Sequence, residues 1–179
     1  MSATAVLAWA DEMRLGLRGV IRRVWAPRGV KVIQPLALTY TWRYLALAVN
    51  GLTGTLHWAW TTSMKQDAIA TVVAEWRDAG IDALVWDGAA SHRGRRVREV
   101  GVALITQPPA APELNPAERV FEELRRAVEG RTYAALADKI AAVERELEAF
   151  AAAPDRIRRL TGWPWIREAL AAAPSEITV

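Results

Sequence analysis

The sequence contains no cysteine and only two histidines, His57 and His92. Without thiols there can be no disulfide, no cysteine-bound zinc and no thiol nucleophile, a composition that fits a reducing cytoplasm. Two histidines far apart in sequence give a serine or cysteine triad little to build on. His57 reads as a residue on a strand face without a catalytic part. Equally missing are a Gly-x-Ser-x-Gly elbow, a Gly-x-x-x-x-Gly-Lys phosphate loop and a dinucleotide-binding fingerprint. No apolar run approaches the ~18 residues that a membrane span requires. The opening MSATAVLAWADEM has a short apolar stretch without a basic region before it, so it reads as a buried strand and not as a signal peptide.

What the chain does have is a globular balance: 179 residues, 52% hydrophobic and 24% charged, enough for one domain with a proper core. The net charge is only +3, but the sequence pI is about 9.7 and the basic residues are grouped. RLGLRGVIRRVWAPRGVK carries Arg14, Arg18, Arg22, Arg23, Arg28 and Lys31 without an acid among them. SHRGRRVRE adds Arg93, Arg95, Arg96 and Arg98. Such groups favour a polyanionic partner by neutralising phosphates and releasing their counterions; an ordinary solvated face is the alternative.

The first half of the chain patterns as sheet. TAVLAWAD, LALTYTWRYLALAVN and GTLHWAWTT have strand composition, and NGLTG joins the last two as a hairpin-type turn. A helix is predicted over MKQDAIATVVAEWRDAG from the spacing of Ile69, Val72, Val73 and Trp76. IDALVWD and GVALIT read as two more strands, separated by a basic helical segment. Beyond them the chain is helical: Val120, Phe121, Leu124 and Val128 form one apolar face, and Leu136, Ile140, Val143, Leu147 and Phe150 another. The second stripe suits a helix packed on a core, with a coiled-coil seam as the alternative. RIRRLTGWPWIREAL adds a further helical piece, interrupted at Pro164. This order predicts an α/β fold with a mixed five-stranded sheet, its first three strands antiparallel, flanked by helices. Right-handed crossovers would set the strand that ends at Asp87 beside the first strand, near Asp11.

With other chemistries excluded, the acids remain. Asp11 is expected to end the first strand, Asp87 to end the fourth, and Glu118 to begin a helix after the fifth. Carboxylates at strand ends project into the crevice where ligands of open α/β sheets bind. Three hard oxygen ligands there would suit Mg²⁺ or Mn²⁺. Two such ions about 4 Å apart can activate an attacking oxygen and stabilise a leaving one in phosphodiester displacement. Any single acid has a plainer reading as a cap or a surface ion pair. In PELNPAERVF, Asn115 reads as the N-cap, Pro116 as the first helical residue and Glu118 as the capping-box acid.

Three stretches carry a resemblance. WADEMRLGL with RRVWAPRG, LVWDGAASHRG, and QPPAAPELNPAERVFEELRR are similar to the three blocks of bacterial insertion-sequence transposases of the mariner superfamily (insertion sequence 630 type). The likeness spans nearly all of residues 6 to 150, and its last block, Pro-Glu-Leu-Asn-Pro-x-Glu, is the most specific. It implies a ribonuclease H-like fold whose Asp-Asp-Glu triad, here Asp11, Asp87 and Glu118, binds Mg²⁺ or Mn²⁺ as two ions. The implied reaction is hydrolytic nicking and strand transfer at transposon ends. Glu113 then belongs to the loop motif and not to the metal site. His92 falls on the motif's histidine, with DNA contact and support of the site as its two readings; support of the site is also open to Glu12, which is not assigned to the metal. The basic residues assigned to DNA are Arg22, Arg23, Arg28, Arg93, Arg95 and Arg96, together with His92.

The sequence departs from that pattern at Gly88, where Asn is usual, at Ala110–Ala111, where Tyr-Ser is usual, and at Phe121, where Trp is common. No carboxylate is lost, but a stacking ring and a hydroxyl are. The family's N-terminal helix-turn-helix DNA-binding region has no counterpart in these residues. A separate DNA-binding subunit from an upstream frame and a homodimer are the expected partners besides DNA. The expected organisation is a catalytic domain over 1–150 with a C-terminal helical extension of it over 151–179, in the bacterial cytoplasm at the nucleoid. The alternatives are an inactive relic that only binds nucleic acid or protein, and another ribonuclease H-like nuclease or resolvase.

Overall fold

The computed structural model describes residues 5–19, 25–33 and 37–172. Five strands, β1 (Leu7–Gly16), β2 (Trp42–Asn50), β3 (Thr55–Thr61), β4 (Ala83–Trp86) and β5 (Ala103–Thr106), form one sheet in the order β3-β2-β1-β4-β5. The β3–β2 and β2–β1 pairs are antiparallel, and β1–β4 and β4–β5 are parallel, the mixed sheet expected from the element order. The NGLTG turn closes on Asn50, whose Oδ1 accepts from the Leu52 and Thr53 amides and whose Nδ2 donates to the Leu7 carbonyl at 2.9 Å.

Strand side chains alternate between the two faces, and this sequence divides them by size. Leu7, Trp9, Met13 and Leu15 of β1, with Leu45, Leu47 and Val49 of β2, face one core; Ala8, Ala10, Ala46 and Ala48 face the other. The alanine face leaves room for α1 (Gln66–Asp78) to lie close, where its Ile69, Val72, Val73 and Trp76 pack with Ile81, Leu84 and Trp86. The large-residue face is covered by α3 (Pro116–Val128) and α4 (Leu136–Ala151). Val120, Phe121, Leu124 and Val128 of α3, with Val143, Leu147 and Phe150 of α4, are all buried. Each such side chain contributes ~1.5–3 kcal/mol by leaving water. The α4 stripe therefore packs on the core, and Ile140 joins it half-buried. A short α2 (Arg95–Arg98) follows β4 on the α1 side.

The chain ends in α5 (Pro154–Thr161) and α6 (Pro164–Ala172), whose Ile157 and Ile166 enter the large-residue core. Pro164 begins α6 rather than breaking a helix, since the chain turns before it at Gly162 and Trp163. Close approach ties this extension to the hairpin. A Cβ on Gly51 would lie 2.9 Å from the Thr161 carbonyl oxygen, and one on Gly54, where φ is +75°, would collide with the carbonyl of Pro154.

Two strand boundaries differ from the sequence expectation. β1 continues past Asp11 to Gly16, because Met13 and Leu15 still find the α3–α4 core. β2 begins only at Trp42; Leu38 and Tyr40 before it are exposed. Between these strands the Leu17 amide donates to the Thr41 carbonyl and the Gly19 amide to that of Ala37, carrying the β1–β2 ribbon outward beyond the sheet.

Candidate active site

Asp11 lies in the middle of β1, not at its end, and the sheet explains why it still faces a crevice. β1 and β4 pair from Leu7–Ala83 to Trp9–Val85. Continued two residues further, this register sets Asp11 beside Asp87, but there β4 has ended and only β2 remains paired to β1. The carboxylates therefore stand where the sheet opens at the C-terminal end of its parallel strands, the usual ligand location of such sheets.

Asp11 is in phase with Trp9 and Met13 and so faces α3. Its Oδ1 accepts from the Glu12 amide at 2.8 Å, and its Oδ2 lies 3.3 Å from Asn115 Nδ2. Burial pushes its pKa up to about 7; the Glu12 amide opposes this, and the charges of Glu12, Glu118 and Asp87 add to it. Asn115 does two jobs at the start of α3: its Oδ1 accepts from the Ala117 amide as the N-cap, and its Nδ2 also donates to the Ala10 carbonyl at 3.0 Å. Glu118 does not complete a capping box, since the Asn115 amide is taken by the Pro112 carbonyl. Its Oε2 instead lies 3.4 Å from Nη1 of Arg125, two turns along the same helix. Glu113, in a 3-10 turn over Pro112–Leu114, is exposed.

Asp87 follows β4 and turns back on its own loop. Its Oδ1 accepts from the Ala89 amide at 3.0 Å and from His92 Nδ1 at 2.6 Å. His92 is only 3% exposed and stacks on Trp86, with ring centroids 3.9 Å apart and planes 17° apart. Its Nε2 faces Oε1 of Glu12 at 3.4 Å, both atoms being buried and without a well-aligned hydrogen bond. Burial alone would lower the pKa of His92, but the Glu12 and Asp87 carboxylates outweigh it and hold it above the ordinary histidine value. Because strand residues alternate, Glu12 points to the α1 side while Asp11 points to α3. A chain Glu12–His92–Asp87 thus wraps the sheet end from behind. This placement fits support of the site and corrects the reading of His92 as a DNA contact.

The basic residues singled out from sequence fare unequally. Arg28 and Arg93 are exposed. Arg95 is paired with Glu99 at 3.5 Å and Arg96 with Asp67 at 2.9 Å, so these two are partly neutralised. Arg22 and Arg23 lie outside the described residues. Sequence reasoning missed Arg125 and the grip of Asn115 on β1, and left Glu12 without a partner; the signals were the alternation of Glu12 with Asp11 and the helical spacing that brings Arg125 under Glu118.

Among the described residues no three carboxylate or imidazole side chains converge closely enough to be a ready-made ligand set. Asp87 is held by His92 and Glu118 by Arg125. The donor chemistry nonetheless fits a divalent cation: the atoms are hard oxygens, and burial among acids raises the Asp11 pKa to about 7, a penalty on its charge that a cation would relieve.

The sheet order and the helices on both faces make a mixed α/β fold of the ribonuclease H-like type. The particular family follows from the sequence: a profile of the DDE superfamily endonuclease matches residues 6–140, and the chain belongs to that family. No curated protein sequence matches the chain. Among solved structures, the catalytic domain of Mos1 mariner transposase is similar at 13% identity and a TM-score of 0.57, over 97% of this chain and 84% of that one. The Mos1 strand transfer complex is similar at 12% identity and a TM-score of 0.67, over 92% of this chain and 52% of that one. The Mos1 paired-end complexes with Mn and with Mg have TM-scores of 0.61 and 0.62 at 10% and 12% identity, each over 93% of this chain and 55% of that one. At these identities the likeness is one of fold. The chain spans about half the length of the Mos1 chains in these complexes.

Proposed function

We propose that this chain is the catalytic domain of a mariner-type DNA transposase, related to the bacterial insertion sequence 630 type, which hydrolyses and transfers phosphodiesters at transposon ends. The observation that carries the reading is the placing of Asp11 beside the start of the Asp87 loop where β1 and β4 part, with burial, helped by the charges of Glu12, Glu118 and Asp87, raising the Asp11 pKa to about 7. Asp11, Asp87 and Glu118 would hold Mg²⁺ or Mn²⁺, two ions in this reading; Mos1 complexes with Mn and with Mg share the fold. When bound, such ions activate an attacking oxygen and neutralise the charge on the phosphate and the leaving oxygen.

The chain's own residues prepare that site. His92 fixes the Asp87 carboxylate by its Nδ1–H and is itself set by Glu12. Asn115 ties the first turn of α3 to β1, so the helix that carries Glu118 is registered against Asp11. Arg125 holds Glu118 aside until a cation competes for it. Exposed Arg28 and Arg93 are assigned to phosphate contacts, as is Arg95 when freed from Glu99. In this reading residues 1–150 are the catalytic domain and 151–179 an extension of it that carries α5 and α6. The partners in this reading are transposon-end and target DNA, a second copy of the chain and a DNA-reading subunit. No described helix is long and apolar enough to cross a membrane, and the assigned place is the bacterial nucleoid.

The test is nicking of DNA that carries candidate terminal repeats, in Mg²⁺ or Mn²⁺, by wild type and Asp87→Ala. Wild type should nick and the variant should lose at least a hundredfold in rate, since a lost ligand weakens the hold on the ions that would stabilise the charged transition state. Full activity in the variant would sink the assignment. Absence of any metal effect on the melting of wild type would favour the non-catalytic relic.

A further inference from the structure

On the α3 side, beyond Asp11, the end of β1 meets the end of α3 and the start of α4 around a cavity of about 170 Å³. Arg14, Arg18, Arg125, Arg131 and Lys139 line it, with Glu129 as the acid of the lining. Lys139 is only 7% exposed, and its Nζ donates to the Gly16 carbonyl at 2.8 Å. An ammonium carries three donors, of which that carbonyl takes one. Burial lowers the Lys139 pKa and the charge of Glu129 opposes this. Arg14 is anchored over the Trp42 ring at 4.3 Å and Arg18 lies over Tyr40 at 5.7 Å, so aromatic faces hold both guanidinium groups in place. Arg14, Arg18 and Arg131 are exposed at the mouth and Lys139 is buried at the back, so five cationic side chains face one acid, Glu129, around the cavity, an excess of positive charge that an anion would offset.

We propose that this cavity is a phosphate-binding pocket that holds one phosphate group of the DNA backbone beside the candidate active site. The volume suits a tetrahedral anion with a few waters, and guanidinium forks match phosphate oxygens in pairs. The location supplies the source: Arg125 lines the pocket and also pairs with Glu118, so a phosphate there is one side chain away from the third carboxylate. A bound phosphate would draw on Arg125 and loosen its hold on Glu118, coupling seating of the strand to release of that acid. The pocket follows from geometry alone; its assignment to DNA rests on the transposase reading.

Two measurements on the whole chain test this, and neither needs catalysis or metal. In the first, inorganic phosphate is compared with chloride at matched ionic strength by thermal melting. Phosphate should raise the Tm of wild type and of Arg159→Ala, an exposed α5 residue outside the pocket, and the rise should fall by at least half in Arg18→Ala/Arg131→Ala, whose two side chains are exposed. Equal rises in all three proteins, or none in wild type, overturn the pocket. In the second, a short fluorescein-labelled duplex is titrated across a salt series. The slope of log K against log salt should drop by about 1–2 in the double variant. An unchanged slope overturns the assignment to DNA backbone. Failure of the nicking assay would leave both results standing, so the two readings fail separately.

Discussion

Asp11 combines burial with three neighbouring acids, and its raised pKa makes it a source of instability in the metal-free protein. The folded state keeps a proton that the unfolded chain releases, so stability is full below the ordinary value of 3.8 and declines as pH rises to about 7. Asp11→Asn, which has no such proton to lose, should melt higher than wild type at pH 8 without metal, and the two should converge near pH 4. Added Mg²⁺ should stabilise wild type and leave the variant unmoved; the opposite ranking would contradict Asp11 as a ligand. His92 supports the other aspartate. His92→Ala strands the Glu12 carboxylate in the interior and removes the stack on Trp86, at a cost of about 3 kcal/mol in urea unfolding. Adding Glu12→Gln should return about 1 kcal/mol or more, a coupling that a pure cavity effect would not produce. Asp11, Asp87 and Glu118 stand out in the sequence through the three blocks that carry the resemblance, although Asp11 lies within β1 and not at its end. Glu12 was not, since its partner lies on a different element and behind the sheet.

At the scale of elements, α3 carries most of the site's precision. Its start is fixed by one side chain that caps the helix and grips β1 together. Asn115→Ala gives up the cap and leaves the buried Ala10 carbonyl without that donor, for roughly 2–3 kcal/mol in all. Because Glu118 rides on this turn, metal affinity should weaken alongside stability, and calorimetric titration with Mn²⁺ would detect it. Sequence identified Asn115 and Pro116 as a helix start, and periodicity identified the face of Val120, Phe121, Leu124 and Val128. The grip on β1 was invisible, for it depends on which strand lies under the turn. The misplacement of Asp11 at a strand end has a similar origin. A strand's length follows its hydrogen-bond partners, and β1 outlasts β4 because β2 continues beside it.

Across the whole molecule, the two cores are unequal. The alanine face is covered by α1 and the short α2, whereas the large-residue face draws on α3, α4, α5 and α6. The sheet order was deducible, since hairpin turns and right-handed crossovers leave few topologies. The seating of α5 on the β2–β3 hairpin was not, because Gly51 and Gly54 read simply as turn glycines. Gly54→Ala is expected to be severe: the new methyl would strain a backbone at φ +75° and collide with the Pro154 carbonyl. A loss of at least 3 kcal/mol in chemical denaturation is the expected outcome, and a variant as stable as wild type would show that α5 can move away freely.

The weld between hairpin and α5 also sets an order of events during synthesis. Trp9, Leu47 and Leu56 emerge from the ribosome early, and the helices bearing Ile157 and Ile166 that finish their core are made more than a hundred residues later. Until then the nascent sheet presents an open apolar surface. A chain cut before α5 therefore leaves that surface open and is expected to aggregate or be degraded, which expression of a version ending at residue 153 would show.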